Sequence, residues 1–422
     1  MRTVVLLLLA ALALAPAQER DYGFDRTISE PVLRNYLARA VTFMDGLTDG
    51  SDISDNTRML TACGAKFIGR GIYLWGREAS LPARLKQAQS RIAALHAADP
   101  QMIIEACIFE IVSDEVEKLA VPAWAFTAEG LPVEDRHFRY GDMIYADGKG
   151  QKWRGNGNAQ VPDVSRPETR LWFAFLAHTW IDLGCEAIHF GQVQLMDRND
   201  RDHAHWRTVF EQARSYARSN ARRHLLLCNA HVPGGGFVND GRLLLDFHAF
   251  PLRIKEVVDK PREGVLELGY SDGLYGRSRG GVTPSGWSCA HLPYLVEFDN
   301  YGASRSPGEA KMGSVWVWGW DEITWFSQQE RGARDAWLRY AWSWVRSHDA
   351  DGYLQMPACR MITQASDGRH VYRANNPGPA MPDGYGQEDT IRAIWQADAA
   401  QAKGSNQPDA RSDAKPGRTA DR

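Results

Sequence analysis

The chain has 422 residues, 49 Lys and Arg against 52 Asp and Glu, and a formal net charge of -3. That balance carries no basic field and excludes a nucleic-acid partner of the ordinary electrostatic kind, while 44% hydrophobic and 24% charged residues describe an ordinary globular protein. Six cysteines are spread singly, which fits neither the paired spacing of a zinc site nor a disulfide scaffold; they read as buried free thiols with at most one or two bridges.

The first residues, Met1-Arg2 and the apolar run Val4 to Ala15 before Ala15-Pro16-Ala17, have the form of a secretory signal peptide cleaved after Ala17. The run is shorter than the roughly 20 residues of a membrane span. The expectation is therefore a signal peptide at 1–17, a catalytic domain at 18–397 and a disordered polar tail at 398–422, in a bacterial protein exported to the periplasm or the medium, with no membrane contact after cleavage.

Pro31 to Leu47 reads as one amphipathic helix, and Lys66 to Tyr73 as a short strand. Pro82 to Ala98 is helical, and Gln101 to Val112 is a buried strand ending in acid. Between Ser113 and Pro162 long loops surround one irregular strand, Phe138 to Tyr145. Arg166 to Leu183 is a helix, Cys185 to Val193 a strand, Asp202 to Arg222 a helix and His224 to Ala230 a strand. Leu243 to Ala249 is the next strand and Pro251 to Val258 a short helix. After a Gly- and Ser-rich loop come two apolar runs, Leu292 to Phe298 and Ser314 to Gly319, and a long helix from Ile323 to Ser347. Short strands alternating with helices imply βαβ units on a parallel sheet. The count suits a (β/α)8 TIM-type barrel; a doubly wound sheet would want a glycine-rich phosphate turn that Gly69-Arg70-Gly71 does not supply.

Active sites of such barrels lie at the C-terminal strand ends. There the sequence offers Glu110; His189 and Gln192; Asn229 and His231; Asp246 and His248; Glu297, Asp299 and Asn300; and Trp318, Trp320, Asp321 and Glu322. Alternation along a strand gives Asp246 and His248 one face, and Glu297 and Asp299 another. Glycoside hydrolysis needs two carboxyl groups flanking one bond. Glu297 and Glu110 are the first pair, with roles interchangeable, and Asp246 and Asp321 are reserves. His189, Gln192, Asn229, His231, His248, Asp299, Asn300, Trp318, Trp320 and Glu322 are candidates for holding the sugar, and neither a metal nor a cofactor is required. Fifteen Trp residues are more than a core usually needs, and indole rings serve as stacking platforms for sugars.

This plan resembles secreted bacterial α/β-barrel glycoside hydrolases: a leader, strands ending in Glu or Asp, and a Trp-rich last strand. The resemblance spans most of residues 30 to 350 by architecture only. Barrel families with a catalytic Glu on the fourth and seventh strands place Asn-Glu at the fourth; this chain has Gln192 there, so their assignment does not transfer.

Two other readings use the same residues. A metal-dependent barrel hydrolase would draw on His189, His231, His248, Asp246 and Asp299, although no HExxH or first-strand His-x-His is present. A non-catalytic carbohydrate-binding barrel would keep the cleft without the chemistry.

Overall fold

In the computed structural model residues 20–153 and 157–404 are described, the side chains up to residue 399. The signal peptide expected at 1–17 and the last part of the tail lie outside them.

The central sheet is built from β1 (Ala40–Phe43), β2 (Phe67–Ile72), β3 (Ile103–Cys107), β4 (Ala187–His189), β5 (Leu227–Ala230), β6 (Phe247–Pro251), β7 (Tyr294–Glu297) and β8, which runs as two consecutive stretches, Gly352–Leu354 and Met356–Met361. Neighbours pair in parallel, and β8 closes the ring: its first stretch pairs with β7 and its second with β1. Gln355 joins the two halves. Its backbone N–H donates to Val296 O at 2.8 Å and its side-chain amide to Val41 O at 3.0 Å. The eight strands thus form a closed parallel barrel, as the alternating pattern predicts.

The main helices are α1 (Glu30–Leu37), α2 (Ile53–Cys63), α3 (Leu81–Ala98), α4 (Pro167–Asp182), α5 (Ala204–Asn220), α6 (Glu322–Ser327), α7 (Arg331–His348) and α8 (Glu388–Gly404), with short helices Ala123–Ala128 and Val193–Met196 in the segments after β3 and β4. α1 precedes β1, and the others follow β1, β2, β3, β4, β7 and β8. Among the described residues no helix follows β5 or β6; small strand pairs such as Lys255–Glu256 with Gly264–Val265 stand there, where the sequence suggests a helix at Pro251 to Val258.

Several expected elements change identity. The single helix expected from Pro31 to Leu47 ends at Leu37, because the β-branched and aromatic run Val41-Thr42-Phe43 is better satisfied as β1. Phe138 to Tyr145 is a 3-10 turn (Tyr140–Asp142) with isolated bridges on either side. Ser314 to Gly319 is not a strand: the eighth place belongs to Gly352–Met361, and Gly313, Trp318 and Gly319 all have positive φ. The helix expected from Ile323 breaks between Ser327 and Arg331. α8 runs on through Gly404, so residues 398–404 are helical where a polar tail is expected, and Asp398 is ion-paired to Arg20 and Arg39 at 2.7 and 2.9 Å. All six cysteines are free.

The barrel interior is layered. At the N-terminal end each strand contributes one apolar side chain to a sealed plug: Ala40, Phe67, Ile103, Ala187, Leu227, Phe247, Leu295 and Tyr353, covered from below by Val32, Leu33, Tyr36 and Leu37 of α1. Two residues further along every strand the inward positions are Thr42, Gly69, Glu105, His189, Asn229, Ala249, Glu297 and Gln355. Most are polar, whereas such barrels usually fill this space with branched apolar residues. They are held to one another: Thr42 donates to Glu297 (3.2 Å), and Asn229 donates to Glu105 (2.5 Å) and accepts from His189 (2.7 Å). Glycine at position 69 leaves room for the Gln355 amide, which any Cβ there would displace. A polar floor at this depth is costly to bury unless bonded or used.

Candidate active site

Above this floor a cleft of about 690 Å3 opens at the C-terminal ends of the strands. Glu110 lies three residues beyond β3 and Glu297 ends β7, so the two carboxyl groups enter from strands on opposite sides of an eight-membered ring; both line the cleft.

Glu297 is 2% exposed and its carboxylate is fully engaged. Arg360 of β8 donates to Oε2 at 2.6 Å, Thr42 donates to the same oxygen, and Arg70 of β2 donates to Oε1. Arg70 reaches it because β2 kinks: its register with β3 shifts between Ile68 and Ile72, and Arg70 takes the left-handed conformation with φ 58. A non-glycine residue there is under local strain that the surroundings must hold, which is common at functional sites. Arg360 also donates to Asn300 Oδ1 at 2.7 Å and stands 3.6 Å from Asp299. Burial favours the neutral form of Asp299, but Arg253, Arg360 and Arg70 outweigh it and hold its carboxyl below the usual range.

Glu110 is clamped differently. Gln192 donates to it twice, from its backbone N–H to Oε2 and from its side-chain amide to Oε1, both at 2.8 Å. The chain can approach this closely only because residue 191 is glycine with φ 56; any Cβ there would strike the Glu110 carboxylate. Two N–H donors and no cation leave Glu110 the cleft acid without an ion-pair partner among the described residues.

His189 lies on the floor. Burial, reinforced by Arg70, pushes its pKa well below the ordinary value, so the ring is neutral. Because Asn229 uses its amide N–H on Glu105, its oxygen must accept from His189 Nδ1–H, which leaves Nε2 as an acceptor at the cleft. Desolvation raises Glu105, beneath, to about 7. His231, directly after β5, lines the cleft with Nε2 3.3 Å from Asp272.

Glu110, Glu297, His189, Gln192, His231, Asp299 and Asn300 therefore converge on the cleft as the sequence suggests, with Asn229 directly beneath. The other candidates do not. Asp246 precedes β6, at the opposite end of the barrel, and accepts from Arg214 and from the Cys228 N–H, both at 2.8 Å. His248 faces outward, because the inward members of β6 are Phe247, Ala249 and Pro251; the parity argument holds but selects the wrong face. Burial lowers its pKa to about 4. Asp321 caps α6, accepting from Thr324 N–H at 2.7 Å and from Thr363 and Gly302, and is fully buried. Glu322 is sealed behind the cleft against Arg253 at 2.9 Å, where desolvation raises it to about 8. Trp318 packs in the core with its indole N–H on Glu263 O, and neither Trp318 nor Trp320 lines the cleft.

The aromatic wall is instead Tyr73, Trp75, Phe109 and Trp153, none of them among the strand-end candidates. Trp75 and Trp153 meet edge to face at 5.0 Å, Tyr73 stacks on Trp75 at 6.1 Å, and the Trp153 indole N–H donates to Glu110 O at 2.9 Å. Arg70, Arg360 and Asp45, the last gripped by Arg84 at 2.7 and 2.9 Å, also serve the site without standing among those candidates. The available signal for the two buried arginines was a charge inside a strand-like run, Gly69-Arg70-Gly71 and Ala358-Cys359-Arg360. Among the described residues no three His, Cys, Asp or Glu side chains are grouped as metal ligands; of the five residues considered for a metal centre, His189, His231 and Asp299 line the cleft, whereas Asp246 and His248 lie away from it.

No family model and no curated protein matches this chain by sequence. Among solved structures it is similar to a cyclic α-maltosyl-(1→6)-maltose hydrolase from Arthrobacter globiformis in complex with maltose, at 14% identity and a TM-score of 0.43 over 87% of this chain and 84% of that one. It is also similar to the glycoside hydrolase domain of PelA from Pseudomonas aeruginosa, at 12% identity and a TM-score of 0.29 over 71% and 90%. An α-galactosidase from Lactobacillus brevis aligns at 9% identity and a TM-score of 0.36, over 87% of this chain and 41% of its own. The barrel itself rests on this chain's strand pairing.

Proposed function

We propose that the protein hydrolyses glycosidic bonds in an oligo- or polysaccharide, with Glu297 and Glu110 flanking the scissile bond. The observation that carries this reading is the placement of two engaged carboxyl groups on opposite strands of one barrel mouth, beside a wall of Tyr73, Trp75 and Trp153. Rings of this kind offer flat apolar faces with polar edges, which suits the mixed character of a sugar. Glu297, ion-paired to two guanidinium groups, takes the part of the charged partner, nucleophile or base for water. Glu110, which has no cation beside it among the described residues, takes the part of proton donor to the leaving oxygen. His189 Nε2 accepts a substrate hydroxyl, and Asn300 and Asp299 bind beside Glu297. The leader-like first 17 residues fit export from a bacterial cell, with substrate met outside the cytoplasm.

The test is Glu110→Gln. Turnover of a cleaved glycan falls by roughly 10²- to 10⁴-fold, the usual contribution of a positioned acid, and an aryl glycoside with a good leaving group is affected least. Equal losses on both substrates would remove Glu110 from the proton-donor role.

A further inference from the structure

We infer that the cleft takes an acidic glycan, with Arg77 and Lys152 forming a subsite for the carboxylate or sulfate of a sugar ring held against Trp75 and Trp153; this rests on the carbohydrate reading above.

The argument is one of charge accounting around the cleft. Its lining carboxylates are already answered from within the protein: Asp45 by Arg84, Glu297 by Arg70 and Arg360, Asp299 by Arg253 and Arg360, and Glu110 by Gln192. Arg70 and Arg84 are thereby spent. Arg77 and Lys152 also line the cleft, are exposed, and make no side-chain hydrogen bond or ion pair among the described residues. Each is tied to one ring of the aromatic wall: Arg77 follows Trp75 by two residues and Lys152 directly precedes Trp153, while the two indoles touch at 5.0 Å. The two cations thus line the same cleft as the indole pair, from two separate loops.

Arg77 has φ 59 and ψ 39, a left-handed conformation unusual for arginine, at the entry to the 3-10 turn Glu78–Ser80. That turn is fixed by buried Glu78, which accepts from the Ser113 backbone N–H at 3.0 Å and from its hydroxyl. The strain thus presents a side chain that the fold itself does not use. A guanidinium fork matches a carboxylate or sulfate edge in two parallel hydrogen bonds, and an ammonium adds an undirected charge.

The test compares dissociation constants of the full chain for matched charged and neutral probes: a galacturonate hexamer against its methyl ester, and a κ-carrageenan hexamer against its desulfated form. The expected result is a preference for one acidic probe of about tenfold at low salt, the scale reached by two exposed charge pairs. That preference disappears near 1 M salt, where screening acts within about 3 Å. Whichever pair shows it identifies carboxylate or sulfate. In Arg77→Ala/Lys152→Ala the ratio of the two constants falls to near one, and in Arg77→Glu/Lys152→Glu it inverts; circular dichroism confirms folding of both. Equal affinity for charged and neutral probes in both pairs, or a preference that survives both double variants, overturns the inference. Charge-selective binding without turnover of any glycan would sustain the subsite and sink the hydrolase reading; turnover of neutral glycans with no charge preference would do the reverse.

Discussion

Replacing Arg360 by Met keeps the length of the side chain and removes the cation at the centre of the barrel mouth. Arg360 is fully buried and gives two charge-assisted bonds, to Glu297 at 2.6 Å and to Asn300 at 2.7 Å. Breaking a buried pair from one side costs about 3–5 kcal/mol, because the remaining charge keeps its desolvation penalty. Glu297 retains Arg70 and Thr42, so the lower end applies, about 3 kcal/mol, and at roughly 1.2 °C per kcal/mol for a domain of this size the melting temperature falls by about 4 °C. Equilibrium urea unfolding of Arg360→Met, Glu297→Gln and the double variant closes a cycle. Adding Glu297→Gln to Arg360→Met should cost about 1.5 kcal/mol or more less than adding it to the parent chain, because the two side chains share one interaction. Single losses that simply add, within about 0.5 kcal/mol, would refute the buried pairing of these residues.

Two further perturbations separate the cleft from its surroundings. Trp75→Ala should raise KM for a long glycan with little effect on unfolding, whereas Trp318→Ala should lower stability by about 3 kcal/mol or more and leave KM unchanged; a reversed pattern would return the binding role to Trp318. Glu322 has a folded-state pKa raised by desolvation to about 8 from an ordinary value of 4.5, so the native state holds the extra proton between those values and its stability contribution is lost as pH rises from about 4.5 to 8. Glu322→Gln should therefore flatten the stability-pH profile in that window relative to the parent, as followed by urea midpoints; an unchanged slope would show that Glu322 is not buried as a neutral acid.

How much was legible in the sequence follows from what each segment must satisfy. The middle strands read correctly because their outward residues, such as Ile104, Ile188 and Cys228, pack under helices and their runs are nearly apolar. The first and last strands did not. β1 continues the three-and-four spacing of α1 through Ala40, Val41 and Met44, so periodicity alone cannot find the break. β8 carries Gln355, Pro357 and Arg360 because it closes the ring and serves the site, and those residues erase the apolar signature of a strand. Missing β8 gave its place to the tryptophans of 314–319. The acids at strand ends were legible, yet side-chain direction was not: parity groups Asp246 with His248 but cannot say which face is inside. Arg70 and Arg360 stayed hidden because one sequence does not reveal that a charge within a strand has a buried carboxylate waiting across the barrel.

The most direct measurement is release of reducing ends from a panel of neutral and acidic polysaccharides by the parent chain and by Glu297→Gln, each with and without EDTA. The account predicts turnover of at least one glycan by the parent, unaffected by chelation, and its loss by several powers of ten in Glu297→Gln with the native circular dichroism spectrum intact. Near-parental turnover in Glu297→Gln, or activity that vanishes with EDTA and returns with zinc or calcium, would contradict it.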